Sequence, residues 1–166
     1  LASQRGGISD GWLLFGSDWY YVENGRLNWG YTGLVQHFDG VWYYVKDGRI
    51  DWNVSCLTYY NGTWFYVKNG KIDWSYTGVV KHVDNCWYYV RNAKLDWGYN
   101  GLAQANSTTW YYIVGGRADT SRNGLVQIGG TWYYFENGAW STKFNGLVYY
   151  YGTWYYVKNG VIDWNV

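Results

Sequence analysis

One stretch of the chain, Gly62 to Trp74 with the sequence GTWFYVKNGKIDW, recurs along its length as imperfect copies. Each copy opens with a Trp, and successive opening Trp residues are 23, 22, 23, 23, 22 and 22 positions apart. The opening residues are Trp19, Trp42, Trp64, Trp87, Trp110, Trp132 and Trp154. A fixed period of this size is typical of repeat arrays, in which one unit buries its apolar side only against its neighbours. The sequence therefore predicts about seven stacked repeats.

The pattern inside each copy is that of a β-hairpin. Two runs of aromatic and β-branched residues flank a turn that is Asn-Gly in several copies, which is a strong hairpin signal. A third short run, of the Gly-Leu-Val kind, precedes each hairpin, and the chain contains no Pro. We therefore predict an all-β fold, a β-hairpin solenoid with three short strands in each repeat. Residues 1–10 show no periodicity and are predicted to be a leader segment, and 11–166 a single repeat domain.

The length of the hairpin turn decides which side chains share a face. A three-residue loop that ends at a left-handed Gly70 places Tyr66 and Ile72 on one side of the hairpin. A two-residue turn of Asn69 and Gly70 pairs Val67 with Ile72 instead. We favour the three-residue loop, because it gathers on one face the residues that recur most faithfully.

Recurrence between copies also separates predicted core from predicted surface. The opening Trp is present in all seven copies, and so is the Tyr two positions later, so both are predicted to lie in the core. The Trp ten positions after the opening one is present in only five copies and is replaced by Thr120 and Thr142 in the others. A position that accepts either residue is not expected to be deeply buried in every repeat.

The aromatic residues at and after this ten-offset position are the candidate binding platforms. They are Trp29, Tyr31, Trp52, Trp74, Tyr76, Trp97, Tyr99 and Trp164, with Asp51, Asp73 and Asp96 beside them. Where a copy has both the Trp and the Tyr, the two are predicted to form one platform, as the pairs Trp29/Tyr31, Trp74/Tyr76 and Trp97/Tyr99. A sugar ring stacks its C–H face on such a ring while polar groups take its hydroxyls. The alternative is that the aromatic pairs only seal the joint between hairpins, and that the Asp residues are solvated partners of Lys or Arg. Because of Thr120 and Thr142, repeats one to four are predicted to bind better than repeats five and six.

Charge and motifs exclude several other functions. Lys plus Arg number 13 and Asp plus Glu 12, a net charge of +1 that does not steer the chain toward nucleic acid. No apolar run is long enough for membrane insertion, and the N-terminus lacks a signal-peptide pattern. His37 and His82 occupy the same loop slot, and no catalytic, metal-ligand or cofactor motif is present. We therefore expect no enzyme, no catalytic residue, no metal and no cofactor.

The two cysteines, Cys56 and Cys86, stand at different repeat positions. We predict two unpaired thiols, with a disulfide between neighbouring repeats as the alternative.

The order of residues in each copy resembles a known group of repeats. A Gly followed by Trp or Leu, then Trp-Tyr-Tyr, a turn with Asn-Gly and an aliphatic residue is similar to the choline-binding and glucan-binding cell-wall repeats of bacterial surface proteins. It is similar also to the repetitive receptor-binding regions of large clostridial toxins. The resemblance covers residues 11 to 166. It implies a β-hairpin solenoid that is secreted or displayed on the bacterial cell surface and binds choline or glycans in the grooves between hairpins.

The copies depart from the choline-binding pattern in two places. Only Trp12 keeps the Trp that follows the leading Gly and forms one wall of the choline cage, and the usual Met is absent. We therefore predict a non-catalytic module that attaches a larger multidomain protein to a polysaccharide or cell-wall polymer. Choline on teichoic acid is the alternative ligand. A structural stalk or adhesin without a small ligand, and a toxin-like receptor-binding region, are the other candidates.

Overall fold

The computed structural model describes residues 11–166, so the predicted leader segment, residues 1–10, lies outside the described residues. The described chain is all-β, a β-hairpin solenoid of antiparallel strands, which confirms the predicted fold class. Over this range the chain forms no helix, and so none that is long and apolar enough to cross a membrane.

Each repeat contributes three strands. The first strands are Gly11–Phe15, Gly33–Gln36, Cys56–Tyr60, Gly78–Lys81, Gly101–Gln104, Gly124–Ile128 and Gly146–Tyr150. The second strands are Asp18–Glu23, Trp42–Lys46, Thr63–Lys68, Trp87–Arg91, Trp110–Val114, Thr131–Glu136 and Thr153–Lys158. The third strands are Arg26–Leu27, Arg49–Ile50, Lys71–Ile72, Lys94–Leu95, Arg117–Ala118, Ala139–Trp140 and Val161–Ile162.

The repeats fall into two compact units. One contains the described residues up to Tyr76 together with Arg91–Leu95, and the other contains Thr77–Val90 and Asp96–Val166. Each unit has its own buried clusters, for example one around Val67 in the first and one around Ile113 in the second. The single repeat domain over 11–166 stays a prediction.

The preferred turn geometry was wrong. Val67 pairs with Ile72 and Lys68 with Lys71, so the turn has two residues, and Asn69 and Gly70 both have positive φ, at 50° and 77°. This is the type I′ geometry, whose twist matches that of the strands it joins, whereas the three-residue loop needs only one left-handed residue. The turns of all seven copies have two positive-φ residues, including Ala93 at 66°.

The second residue of each turn connects its hairpin to the preceding repeat. The amide of Gly70 donates to the carbonyl oxygen of Val54 (3.0 Å), and the carbonyl of Gly70 accepts from the amide of Tyr44 (2.8 Å). The same two bonds recur at Gly48, Ala93, Gly116, Gly138 and Gly160. This pair of bonds, which we call the turn clamp, sets the register between successive repeats.

The most deeply buried position of the second strand lies one residue further along the chain than the recurrent Tyr that was predicted to be core. The opening Trp residues are half-buried, except Trp154, which is 63% exposed, and of the recurrent Tyr residues only Tyr89 is buried. Six of the seven residues three positions after the opening Trp are 0% exposed, namely Val45, Val67, Val90, Ile113, Phe135 and Val157, and Leu34, Val79 and Ala93 are buried nearly as completely or equally. The two-residue turn explains the shift, because it places the residue three positions after the opening Trp directly opposite the aliphatic residue of the third strand.

His37 is buried inside a ring of aromatic side chains. It is 6% exposed, and its ring centroid lies 5.0 Å from that of Trp12, 4.6 Å from Trp19, 3.8 Å from Phe38 and 5.6 Å from Tyr43. Its Nδ1 atom lies 3.3 Å from Oδ1 of Asp39, and its Nε2 atom has no hydrogen-bond partner among the described residues. Burial lowers the pKa of His37 and outweighs the opposing effect of Asp39. The neutral imidazole therefore fills this aromatic cage.

The glycine of the turn clamp leads to a first prediction. A Cβ atom on Gly70 would lie 3.0 Å from the Cα atom of Trp52 and closer still to the carbonyl oxygen of Asp51. A Cβ atom on Gly62, in the other turn of the same repeat, would meet nothing within 4 Å, although its φ is also positive, at 85°. Both changes to Ala carry the left-handed backbone cost of about 1–2 kcal/mol. We expect Gly70→Ala to lower the free energy of unfolding by at least about 1 kcal/mol more than Gly62→Ala, measured by urea denaturation. Equal losses would contradict the role assigned to the clamp.

The caged histidine leads to a second prediction. The folded-state pKa of His37 lies below its ordinary value of 6.5, so its contribution to stability is complete above pH 6.5 and is lost as the pH falls through the folded-state pKa. The urea midpoint should therefore fall between about pH 7.5 and about pH 5. His37→Phe, which fills the cage with a ring that does not titrate, should remove most of this fall. His82→Gln is the matched control and should retain it; a fall that persists in His37→Phe would show that another group is responsible.

Candidate functional site: a series of exposed aromatic corners

The five ten-offset Trp side chains are exposed at equivalent places in their repeats. Their exposed fractions are 59% for Trp29, 41% for Trp52, 47% for Trp74, 56% for Trp97 and 65% for Trp164. Burial of a Trp ring contributes more than burial of almost any other side chain. Five Trp residues that are 41–65% exposed are therefore not explained by the packing of the fold.

Each of these Trp rings stands edge-to-face against the aromatic residue that directly follows the opening Trp. The pairs are Tyr20/Trp29, Tyr43/Trp52, Phe65/Trp74, Tyr88/Trp97 and Tyr155/Trp164, with ring centroids 5.7, 5.5, 5.7, 5.9 and 5.9 Å apart. We call each pair an aromatic corner. Such a pair contributes about 0.5–1.5 kcal/mol beyond its buried area, which holds the Trp in one orientation.

The predicted Asp residues position the Trp rings through the backbone. Oδ1 of Asp51 accepts from the amide of Asn53 (3.0 Å), Oδ1 of Asp73 from the amide of Ser75 (3.2 Å), and Oδ1 of Asp96 from the amide of Gly98 (3.0 Å). These i to i+2 bonds form Asx turns. The turn begins directly after the two-residue third strand and carries the intervening Trp back over the hairpin.

The loop Tyr residues lie on the other side of the hairpin from the Trp rings. Tyr31 packs on Tyr21 with centroids 4.8 Å apart, whereas its predicted partner Trp29 packs on Tyr20. Neighbouring residues on a strand point to opposite faces, so the two rings of the predicted pair are separated. Tyr76 on Tyr66 (4.7 Å) and Tyr99 on Tyr89 (3.8 Å) follow the same arrangement.

Hydrogen bonds and substitutions at the loop slot indicate that these Tyr residues serve packing. The hydroxyl of Tyr31 donates to the carbonyl of Leu34 (2.8 Å), and that of Tyr99 to the carbonyl of Leu102 (2.7 Å). In other copies Phe144 packs on Tyr134 (4.1 Å), and the Arg122 guanidinium lies over the ring of Tyr112 (5.6 Å). The loop Tyr residues therefore pack against the second strand, and a ligand-binding role for them stays a prediction.

Two corners are anchored by a carboxylate from the preceding loop. The hydroxyl of Tyr43 donates to Oδ2 of Asp39 (2.9 Å), and that of Tyr88 donates to Oδ2 of Asp84 (2.6 Å). Burial, followed by the bond to Asp39, raises the pKa of Tyr43 to about 12. The bond to Asp84, followed by burial, raises the pKa of Tyr88 to about 12. Both rings are therefore neutral, fixed parts of their corners at physiological pH.

One corner opens onto a groove with four aromatic walls. The Phe65/Trp74 corner faces the pair formed by Trp42 and Tyr60, whose ring centroids are 4.9 Å apart. Asn61, Thr63, Ile72 and Lys94 complete the lining of a cavity of 260 Å³, which we call the aromatic groove. This volume lies just below the range typical of small-molecule pockets, which starts at about 300 Å³. The groove combines flat apolar walls with polar groups at its edge.

Two other cavities differ in whether a ten-offset Trp is part of their lining. A cavity of 470 Å³ beside Trp52 is lined by that ring and by charged residues, including Asp18, Lys46 and Arg49. A cavity of 270 Å³ beside Thr120 has no aromatic residue in its lining, because Thr stands where other copies have Trp.

Recurrence within the sequence missed the second member of each corner. The residue after the opening Trp is aromatic in all seven copies, as Tyr20, Tyr43, Phe65, Tyr88, Tyr111, Tyr133 and Tyr155. That invariance was the available signal. It was overlooked because the three-residue turn assigned this residue and the ten-offset Trp to opposite faces.

The polar chemistry elsewhere is limited. Within 11–166, no group of three or more His, Cys, Asp or Glu side chains is arranged to hold a metal ion. Cys56 and Cys86 are free thiols; Sγ of Cys56 lies 3.4 Å from Oγ1 of Thr58, and Sγ of Cys86 accepts from Nη2 of Arg117 (2.7 Å).

Three solved structures are similar to this chain. Choline binding protein F from Streptococcus pneumoniae, solved with a peptidoglycan analogue, is 26% identical over 92% of this chain and 51% of its own, with a TM-score of 0.36. CbpF in complex with ipratropium is 25% identical over 93% of this chain and 47% of its own, with a TM-score of 0.38. The alternansucrase ASR in complex with isomaltononaose is 21% identical over 92% of this chain and 12% of its own, with a TM-score of 0.47. This chain thus spans about half the length of the first two proteins.

Family models identify the repeats themselves. No curated protein matches the chain. The model of the choline-binding repeat matches residues 15–28, 30–51, 53–73, 75–96, 98–119 and 143–163, and the model of the cell wall binding repeat matches 123–138. These segments cover most of the described chain, and each spans the greater part of one repeat. The chain therefore belongs to the family of choline-binding repeats.

Proposed function

We propose that this chain is a non-catalytic module that attaches a larger protein to a repeating polysaccharide or cell-wall polymer, with the aromatic corners as its contact surface. The observation that carries the proposal is the recurrence of an exposed, edge-to-face Trp at the same place in five repeats. Membership of a cell-wall-binding repeat family supports the same function and a location at the bacterial surface. The proposed ligand-contacting residues are Trp29, Trp52, Trp74, Trp97 and Trp164.

A polymer suits a surface of this kind. One Trp ring offers a sugar only a flat apolar face and a few polar neighbours, so each contact is weak. When several such contacts occur on one protein and the ligand also repeats, every contact after the first is intramolecular, and the overall affinity rises by orders of magnitude. The regular spacing of the corners along the sequence is the feature that a monomeric ligand leaves unexplained.

The exposure of the Trp rings also favours a binding module over a stalk. In a stalk without a ligand, the ten-offset Trp is expected to be buried between repeats. Instead, Trp52 is the least exposed of the five at 41%, and Trp164 is the most exposed at 65%.

Two observations favour a sugar over choline. Lys94 lines the aromatic groove, and its positive charge repels a quaternary ammonium placed there. Trp12, the one residue that keeps the choline-cage pattern at its slot, is 2% exposed and faces a cage already filled by His37. Choline is therefore the second candidate ligand.

The polymer can be identified by affinity electrophoresis. The purified chain is run through native gels that contain starch, dextran, pectin or bacterial wall polysaccharide, with and without choline. We expect one polymer to retard the chain, and choline not to relieve the retardation. Retardation by wall material alone, abolished by choline, would overturn the proposal in favour of an ammonium site.

The contribution of the corners can be tested by substitution. Trp74→Ala with Trp97→Ala removes two corners and should weaken binding of the retarding polymer by about tenfold or more, because loss of each contact also reduces avidity. Trp154→Ala is the matched control, since Trp154 is 63% exposed but is an opening Trp outside the corners. It should change the affinity less than about twofold. Near-ultraviolet circular dichroism and the urea midpoint verify that each variant is folded.

Repeats five and six provide a further comparison for the same assay. Substitutions there, such as Thr120→Ala, should leave binding unchanged, because these repeats lack the ten-offset Trp. Losses equal to those of the Trp74 and Trp97 double variant would show that the corners are not the contact surface.

A further inference from the structure

Four of the aromatic corners have a basic residue as their neighbour from the following repeat. The strand register pairs Tyr20 with Arg49, Tyr43 with Lys71, Phe65 with Lys94 and Tyr88 with Arg117. The central ring of each corner thus has a Trp on one side and a cation on the other. The pairing is a consequence of the turn clamp, which fixes the residue after each turn opposite the preceding hairpin.

In the six repeats that are followed by another repeat, the Trp and the cation are present together or absent together; the fifth corner, Tyr155/Trp164, lies in the last repeat and has no such neighbour among the described residues. In the two repeats that have Thr120 and Thr142 in place of the ten-offset Trp, the same register pairs Tyr111 with Ala139 and Tyr133 with Val161. Lys and Arg together account for only 13 of 166 residues, so composition alone does not place a cation at all four corner positions and at neither of the others. The two residues therefore behave as parts of one feature.

Fold stability does not account for these cations. Lys71 lies directly opposite Lys68, and Arg49 directly opposite Lys46, and like charges in these positions destabilise a sheet. Arg49 has one exposed ion pair, 3.6 Å from Asp18, while Lys71 and Lys94 have none among residues 11–166. Lys71 and Lys94 are therefore exposed and available to a ligand, whereas Arg117 already donates to Sγ of Cys86 (2.7 Å).

The cations reach the same space as the Trp rings. Lys94 lines the aromatic groove together with Trp74 of its own corner, and the lining of that groove has no Asp or Glu. Arg49, the cation of the Tyr20/Trp29 corner, lines the 470 Å³ cavity together with Trp52 and Lys46 and with the carboxylates of Asp18, Asp47 and Asp51. A sugar ring stacked on Trp74 therefore lies within reach of a positive charge that no carboxylate in the groove offsets. The net charge of the chain is only +1, so this attraction acts locally at each corner and not as a long-range field.

We propose that the ligand of the aromatic corners is an anionic glycan. Its sugar rings stack on the Trp residues, and a carboxylate or phosphate group that it carries pairs with Arg49, Lys71, Lys94 or Arg117 of the next repeat. The inference rests on the proposed function, because it specifies the chemistry of the polymer bound by the same corners.

The test uses one polysaccharide backbone in three charge states: dextran, carboxymethyl dextran and phosphorylated dextran. Each is immobilised, and binding of the full chain is measured by biolayer interferometry at low and high salt. We expect at least one charged form to bind about tenfold more tightly than dextran at low salt, with the preference shrinking at high salt. The stronger of the two charged forms identifies the acidic group as carboxylate or phosphate.

Two double variants isolate the corner cations. Lys71→Met with Lys94→Met keeps both aliphatic stems and removes two of the four corner charges, and should reduce the preference for the charged polymers well below that of the unchanged chain. Lys143→Met with Lys158→Met removes the same charge from positions outside the corners and should retain the preference. Trp74→Ala should weaken binding of charged and uncharged dextran alike.

Each other outcome overturns a specific part of the argument. Equal affinity for all three polymers, or equal effects of the two Lys double variants, would overturn the anionic ligand while leaving the polysaccharide function in place. Binding of charged dextran that is unaffected by Trp74→Ala would reduce the effect to simple charge attraction and would also overturn it. No binding to these polymers or to any glycan in the gel assay would overturn the proposed function itself.

Discussion

The turn clamp is the interaction on which the rest of the structure depends. One residue at the end of a hairpin donates its amide N–H to the loop of the preceding repeat and accepts, at its carbonyl oxygen, from the central strand of that repeat. The bonds are short, and the first residue of the turn adds another; for example, the amide of Asn69 donates to Oγ of Ser55 (3.1 Å). Because both partners are backbone groups, the same two bonds form at Gly70 and at Ala93, although at Gly70 an added Cβ atom would meet the backbone of Asp51 and Trp52.

Two consequences follow from the register that the clamp fixes. The residue three positions after the opening Trp is placed at the centre of three short strands, where a Val or Phe is completely buried. The residue one position after the opening Trp is placed between the ten-offset Trp and the residue that follows the next turn. The same bonds therefore build the core and arrange a repeated surface, which explains why core and surface share one period.

The sequence was sufficient to predict the repeats, the three strands of each and the all-β class, because period, strand composition and turn residues all agree at that level. It did not decide the turn length, since Asn69 and Gly70 are compatible with both loops, and the choice between them moves every side chain of one strand to the opposite face. The error placed Trp64 and Tyr66 in the core and separated Phe65 from Trp74. Recurrence between copies did not predict which side chains are most deeply buried. The Tyr at the position of Tyr66 recurs because it packs in the joint between repeats.

The candidate site was predicted in part for the same reason. The ten-offset Trp residues were identified because they vary between copies, and their exposure agrees with that argument. The Asp residues beside them were noticed for their charge, whereas in the structure the carboxylate of Asp73 shapes the loop that presents Trp74. The aromatic partner of each Trp and the nearby cation were not predicted, because their positions depend on the register between strands. That register is set by hydrogen bonds between repeats, which no short stretch of sequence contains.

The caged His37 has a consequence for how many sites a chain of this kind offers. An imidazole tethered to the same backbone as Trp12, Trp19 and Tyr43 competes with every dissolved ligand at a very high effective concentration. The side chain of His37 therefore already occupies that junction between hairpins, and the junction serves as a structural contact. One side chain thus decides whether a junction between hairpins is a structural contact or an empty binding site. The number of hairpins therefore sets only an upper limit on the number of ligands that the module binds.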